Sequence, residues 1–144
     1  MKKLLLVIGL LLFIACNGSI ELVSAKKQQV IPGIRSATNY SNYIVKFKSS
    51  SDEIVEIQKV IISENGTCYK VNYVLNKKGS NEQLKSIAEK GEFVIIASML
   101  ETNKTIVDKK CNATINRLEL YYSVNGKSKT LSVSKFTSEK INRR

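Results

Sequence analysis

Apolar side chains recur at every second position in several stretches of this chain. In the clearest stretch, residues 67–76, one face carries Tyr69, Val71, Tyr73 and Leu75. Successive side chains point to opposite sides of a β-strand, so a period of two is typical of a strand with one buried face. The pattern therefore predicts a strand here, with Cys68 on the opposite, less apolar face.

Two Asn-Gly pairs separate neighbouring apolar stretches and predict hairpins. Asn65-Gly66 and Asn125-Gly126 favour the type I′ turn, because both central residues of that turn need a positive φ. The same periodicity predicts further strands over residues 43–48, 54–63, 92–100, 113–124 and 128–136.

Other stretches depart from simple alternation. The break in alternation before Val60 predicts a β-bulge near Lys59. Residues 92–100 are apolar at odd and even positions alike, which is typical of a strand covered on both faces. Residues 28–31 and 105–107 fit short edge strands.

One segment carries a helical spacing instead. Leu84, Ile87 and Ala88 recur three and four residues apart, as on one face of a helix, and Gly91 suits a C-terminal cap. We therefore expect a short helix within residues 77–90. The whole pattern predicts an all-β, two-layer antiparallel β-sandwich, immunoglobulin-like in architecture, with about seven strands and one short helix. A small barrel is the alternative.

The N-terminus has the features of a secretory signal. Lys2 and Lys3 precede an apolar run over residues 4–15, which is shorter than the about 20 residues of a membrane-spanning helix. A charged start before a short apolar core is the pattern of an export signal. We therefore expect the protein to leave the cytosol.

Two cleavage sites compete at the end of this signal. The sequence FIAC ending at Cys16 resembles the lipobox of bacterial lipoproteins, although that family usually has an aliphatic residue in place of Phe13. The resemblance implies cleavage before Cys16 and a lipid on that cysteine. The sequence VSA over residues 23–25 is an ordinary small-residue site, with cleavage before Lys26.

These features predict how the chain is divided. The signal covers residues 1–16, or 1–25 if the second site is used. Residues 17–41 are polar and fit a tether or N-terminal arm. The sandwich is expected over residues 42–136 and a basic tail over residues 137–144. The predicted location is the cell envelope, lipid-anchored at the outer membrane or in the periplasm, with secretion as the alternative.

The cysteines fit a structural disulfide. Cys68 and Cys111 remain as an even pair after either cleavage, and an oxidising compartment allows them to form a bond. Closing a loop of about 44 residues stabilises a fold by roughly 4 kcal/mol if the effect is assigned to chain entropy. The spacing differs from the C-x-x-C of redox pairs, so a structural role is predicted.

The chain is strongly basic, with a formal charge of +11. Removing Lys2 and Lys3 from the 23 basic residues leaves 21 against 12 acidic ones, or +9. Such a charge attracts anionic polymers without selecting one, and no specific nucleic acid is expected. The candidate ligand face, in which an exposed tyrosine can stack on a ring beside cations, consists of Arg117, Tyr121, Lys127 and Lys129.

The composition argues against an enzyme. The chain has no histidine, which removes the commonest general base and metal ligand. It also has no nucleophile elbow, glycine-rich phosphate loop or metal-ligand spacing. We therefore expect no catalytic residues, no cofactor and no metal site. Serine–lysine and two-carboxylate mechanisms stay open, because such residues meet only in the folded chain.

The sequence leaves several functions open. The preferred hypothesis is a small exported, lipid-anchored β-sandwich that serves as a binding or structural module of the bacterial envelope. Its partner would be the membrane through the lipid, with an anionic polymer or another envelope protein as a further partner. A secreted basic protein that binds an anionic polymer is the second hypothesis. Five Asn-x-Ser/Thr triplets, the acceptor pattern for N-glycosylation, keep open a secreted inhibitor or toxin-like glycoprotein.

Overall fold

The computed structural model of the chain describes residues 20–35, 37–50, 52–108 and 115–143. In this part of the chain, the alternating stretches form more strands than the sequence pattern predicts. There are eleven: β1 (Ile20–Ile31), β2 (Tyr40–Ser49), β3 (Val55–Glu64), β4 (Thr67–Val71), β5 (Tyr73–Lys77), β6 (Ser86–Ile87), β7 (Gly91–Ser98), β8 (Lys104–Asp108), β9 (Arg117–Val124), β10 (Lys127–Val133) and β11 (Thr137–Asn142). A single 3₁₀ turn covers Glu101–Asn103.

These strands form two sheets packed face to face, which confirms the predicted all-β sandwich. The first sheet has the order β11-β1-β2-β7-β5. The second has the order β10-β9-β3-β4-β8, and β6 pairs with the start of β3. Paired strands run antiparallel except for β1 and β11, which are parallel.

Both predicted hairpin turns are confirmed. Asn65 and Gly66 connect β3 to β4 with φ values of 51° and 77°. Asn125 and Gly126 connect β9 to β10 with φ values of 49° and 79°. Positive φ at both central positions defines the type I′ turn, whose twist matches that of the strands it joins.

The core lies between the sheets and consists of inward-facing aliphatic and aromatic side chains. Phe47 and Phe93 stack with their ring centroids 6.1 Å apart. The Tyr43 ring meets Phe136 edge to face at 5.2 Å. Aromatic pairs of this geometry add to the free energy gained from burial alone.

Alternation in β3 breaks where the sequence predicts it. The pairing of β3 with β9 shifts by one residue between Ile57 and Lys59, which confirms the β-bulge. Beyond the bulge, Val60 and Ile62 are both buried in the core. The extra residue therefore returns the apolar positions of β3 to the inner face.

The helix expected within residues 77–90 does not form, and that prediction was wrong. The Leu84 amide instead donates to the Leu75 carbonyl at 2.7 Å, so the segment covers the edge of β5. Ile87 lies in β6 and is buried in the core. Helical spacing over three apolar positions is a weak signal, because a helix this short is marginal without tertiary support.

The strand expected over residues 67–76 is interrupted at Asn72. β4 pairs with β3 in the second sheet, whereas β5 pairs with β7 in the first. At the break, the Asn72 amide donates to the Asn103 carbonyl at 2.8 Å. Val71 and Leu75 are both buried, so one period-two pattern runs through two strands that belong to different sheets.

Both flanks of the expected sandwich are part of the first sheet. Within the arm expected over residues 17–41, β1 is a twelve-residue strand with neighbours on both sides. A register shift between Leu22 and Ser24 interrupts its alternation, which is why the pattern revealed only the end of this strand, over residues 28–31. The tail expected over residues 137–144 contributes β11, because pairing to β1 uses backbone groups and needs no apolar face.

β7 has one buried face, where the sequence predicts two. Phe93 and Ile95 are buried in the core, but Ile96 is 37% exposed. Ile96 pairs with Ile44 of β2 and Val74 of β5 on the outer face of the first sheet. Single apolar residues are common on protein surfaces, so an apolar residue on a strand does not by itself show that its face is covered. The prediction that both faces of this strand are buried was wrong for this reason.

Candidate binding cleft

A cleft of about 740 Å³ opens at the end of the sandwich where β1, β3 and β7 finish. Its walls are residues 32–34 and 37–41, between β1 and β2, and residues 99–102 with Lys104, after β7. Glu64 at the end of β3 and Arg143 just after β11 complete the lining. The volume falls within the range of roughly 300–1,000 Å³ that is typical of small-molecule sites.

Backbone hydrogen bonds hold the two walls in place. The Met99 amide donates to the Ser41 carbonyl at 2.8 Å, which joins the end of β7 to the start of β2. The Arg143 amide donates to the Ile31 carbonyl at 3.0 Å, which fixes the end of β11 beside the end of β1. The ends of the walls are therefore tied to the sheet framework.

The base and mouth of the cleft are mainly apolar. Val30 and Met99 are buried at its base. At its mouth, Ile34 is 71% exposed and Leu100 is 36% exposed. A bound apolar group would remove these two side chains from water, which favours binding.

Glu64 connects the two sheets beside the cleft. Its Oε1 accepts a hydrogen bond from the Tyr43 hydroxyl and lies 2.7 Å from Lys27 Nζ. Lys27 Nζ also lies 5.3 Å from the centre of the Tyr43 ring. Burial, followed by the hydrogen bond to Glu64 and its negative charge, raises the pKa of Tyr43 well above its ordinary value. The Glu64 carboxylate is therefore engaged by two partners within the fold.

Two cations line the cleft itself. Lys104 Nζ lies 2.8 Å from Glu101 Oε1 and 4.8 Å from the centre of the Tyr69 ring. Arg143 is exposed at the rim. The cleft thus combines an apolar base with charged groups at its edge.

The structure does not bring the four residues of the predicted ligand face onto one surface. Arg117 and Tyr121 alternate with the buried residues of β9 and lie on the outer face of the second sheet. Lys129 pairs directly with the buried Tyr122, and directly paired residues share a face. Lys127 lies two positions before Lys129, so both lysines are on the opposite side from Tyr121.

The outer face of the second sheet gathers a different group around Tyr121. The Tyr121 hydroxyl donates to Glu119 Oε2 at 2.7 Å, and Arg117 Nε lies 3.7 Å from Glu119 Oε1. Lys59 Nζ lies 4.6 Å from the centre of the Tyr121 ring. The hydrogen bond to Glu119 is the main cause that raises the pKa of Tyr121. These side chains engage one another, which fits support of the sheet better than capture of a ligand.

The cysteine predictions fall partly outside the described residues. Cys68 lies at the start of β4 and pairs directly with Ser63 of β3 and Asp108 of β8. Cys16 and Cys111 lie outside the described residues. Lipidation of Cys16 and a disulfide between Cys68 and Cys111 therefore stay predictions.

Sequence reasoning missed the cleft because its lining comes from four separate segments, from Val30 to Arg143. The only local signal is the pair of apolar residues Ile34 and Leu100 in polar surroundings, and single exposed apolar residues are common in proteins. Among the described residues, no group of three or more metal-binding side chains is placed to hold an ion. No helix in the same residues is long and apolar enough to cross a membrane.

Comparison with known proteins adds no family to this geometry. No protein-family model matches the chain. A search of curated proteins likewise finds no match. The cleft and the charges around it are therefore the basis for a functional proposal.

Proposed function

We propose that the chain is a small exported, lipid-anchored β-sandwich that binds a small ligand as a module of the bacterial envelope. The cleft is the observation that carries this proposal, with Val30 and Met99 at its base and Ile34 and Leu100 at its mouth. A concave, mostly apolar site with a few polar groups is the usual form of a small-molecule site.

The course of β1 supports cleavage of the signal before Cys16. The first half of β1 pairs with β2, and Ile20 and Ala25 are buried in the core. Cleavage before Lys26 would remove this half and leave Phe47 and its neighbours in β2 paired only on the β7 side. Cleavage before Cys16 keeps the whole of β1.

Growth with a labelled fatty acid tests the anchor. We expect label on the wild-type protein in the membrane fraction and no label on a Cys16→Ser variant. The mass of the mature N-terminus gives the cleavage site independently. Soluble, unlabelled protein that begins at Lys26 would contradict both the anchor and the cleavage site.

The second sheet supports the disulfide. Arg117, Ser63, Cys68 and Asp108 form one row across β9, β3, β4 and β8. The connection from Asp108 to Arg117 begins and ends in this row, and Cys111 follows Asp108 by three residues. Three residues span at most about 11 Å, and a chain of this length permits Cys111 to reach Cys68.

Fluorescence of the neutral dye Nile red tests the cleft. We expect the emission to rise on binding to the folded wild-type protein. A double variant, Ile34→Ser with Leu100→Ser, should weaken the apparent affinity about tenfold, because both substitutions remove apolar surface at the mouth.

The matched control is Ile54→Ser. Ile54 is 51% exposed and precedes β3, at the end of the sandwich opposite Glu64. This variant should keep the wild-type affinity for the dye. Unchanged dye binding in the double variant, or an equal loss in the control, would contradict a binding site in the cleft.

A further inference from the structure

Arg143 gives the cleft an unbalanced positive charge. Lys27 and Glu64 lie 2.7 Å apart, and Lys104 and Glu101 lie 2.8 Å apart, so each of these charges has a partner. Among the described residues, no carboxylate lies within 4.0 Å of the Arg143 guanidinium. Arg143, at the rim of the cleft, is therefore a cation without a counter-charge among the described residues.

The fold holds the backbone of Arg143 beside the cleft. Its amide donates to the Ile31 carbonyl at 3.0 Å, next to the segment that carries Ile34. The apolar base, with Val30 and Met99, lies deeper in the same cleft. One charge at the rim and the apolar side chains of the same cleft complement a molecule with an apolar chain and a single anionic head.

We propose that the cleft binds a small anionic amphiphile, with medium-chain alkanoates as the simplest example. The apolar chain lies against Ile34, Met99 and Leu100, and the carboxylate binds Arg143. A guanidinium donates two parallel hydrogen bonds to a carboxylate, and transfer of the chain from water supplies the remaining driving force. This inference rests on the proposed binding function and names the class of ligand.

Titration of the folded protein with sodium decanoate, below its critical micelle concentration, tests the proposal. Backbone amide NMR shifts should change at Ile34, Leu100 and Arg143. Arg143→Gln should weaken binding about tenfold, because it removes one charge-assisted bidentate contact. Arg143→Lys should bind with intermediate affinity, because it keeps the charge but loses the planar fork.

The matched control is Lys127→Gln. This variant also removes one positive charge, but from the β9–β10 hairpin at the opposite end of the sandwich. Its affinity for decanoate should stay close to the wild-type value. An equal loss in both variants would assign the effect to net charge and would overturn the role of Arg143.

Two further probes separate this inference from the proposed function: one lacks the negative charge and the other lacks the alkyl chain. Decanol has the same chain without the anion, and acetate has the anion without the chain, so both should bind at least about tenfold more weakly than decanoate. Equal affinity for decanol would overturn the anionic class while Nile red binding still supports the cleft. Failure of decanoate to bind a protein that binds Nile red would overturn it too, as would preference for a short apolar peptide with a free C-terminal carboxylate.

Discussion

Tyr43 shows how a single side chain joins the two layers of this sandwich. Among the residues that the structure describes, it is the largest fully buried side chain of the core, and its ring meets Phe136 edge to face. Its hydroxyl donates across the layers to Glu64, which Lys27 also contacts. Burial is the main reason that the pKa of Tyr43 is raised, so the folded chain holds this proton more tightly than the unfolded chain does.

Tyr43→Phe should reduce the loss of stability at alkaline pH. Above the ordinary tyrosine pKa of 10.0, the unfolded state binds fewer protons than the native state, so the free energy of unfolding falls as pH rises. We expect this tyrosine to contribute a loss of about 1 kcal/mol per pH unit there, which the variant lacks. At neutral pH the variant should be less stable by about 1–2 kcal/mol, because the hydrogen bond is lost.

Urea unfolding at a series of pH values from about 8 to 11.5 measures both effects. The comparison uses the difference between wild type and Tyr43→Phe at each pH, so the other tyrosines and the lysines cancel. A difference that stays constant across the series would contradict the assigned proton linkage.

At the scale of single elements, the conformation of the turns was predictable from the sequence, but the pairing of strands was not. The Asn65-Gly66 and Asn125-Gly126 turns were predicted because positive φ is a requirement of the residues themselves. β11 was missed because its strand conformation depends on pairing with β1. The helix expected within residues 77–90 was wrong because the same kind of pairing overrides a local helical pattern. Leu84 and Ile87 have helical spacing, but the free edge of β5 and the start of β3 bind their segment more effectively.

β7 offers a direct test of which face of an element is buried. Ile95 is fully buried between the sheets, whereas its neighbour Ile96 faces outward. Ile95→Ala should destabilise the protein by about 2–5 kcal/mol through lost burial and a residual cavity. Ile96→Ala should cost less than about 1 kcal/mol, because much of its side chain is already in water. Equal losses in chemical denaturation would show that something covers the outer face.

At the scale of the whole molecule, the fold class was predictable and the cleft was not. Period-two alternation with two tight turns leaves few alternatives to packed β-layers, and the structure confirms them. The cleft depends on where segments far apart in the chain end relative to one another, and no local pattern records that. The predicted grouping of Arg117 and Tyr121 with Lys127 and Lys129 failed for a related reason. Strand register decides which faces they share.

The predicted disulfide between Cys68 and Cys111 should stabilise the entire fold. Replacing Cys68 and Cys111 by alanine should lower the free energy of unfolding by about 4 kcal/mol, the chain-entropy cost of opening a loop of about 44 residues. Reducing agent should lower the stability of the wild type but not that of the double variant. Alkylation of unreduced protein followed by mass spectrometry provides a separate check, and two modified thiols would contradict the bond.

The direction of β1 determines how the molecule would be oriented on a membrane. The strand starts at Ile20 and ends beside the cleft, and its twelve residues span about 40 Å. With an anchor at Cys16, the remaining link to Ile20 is at most about 14 Å long. The opening would then face outward from the lipid leaflet, so a ligand would arrive from the surrounding medium.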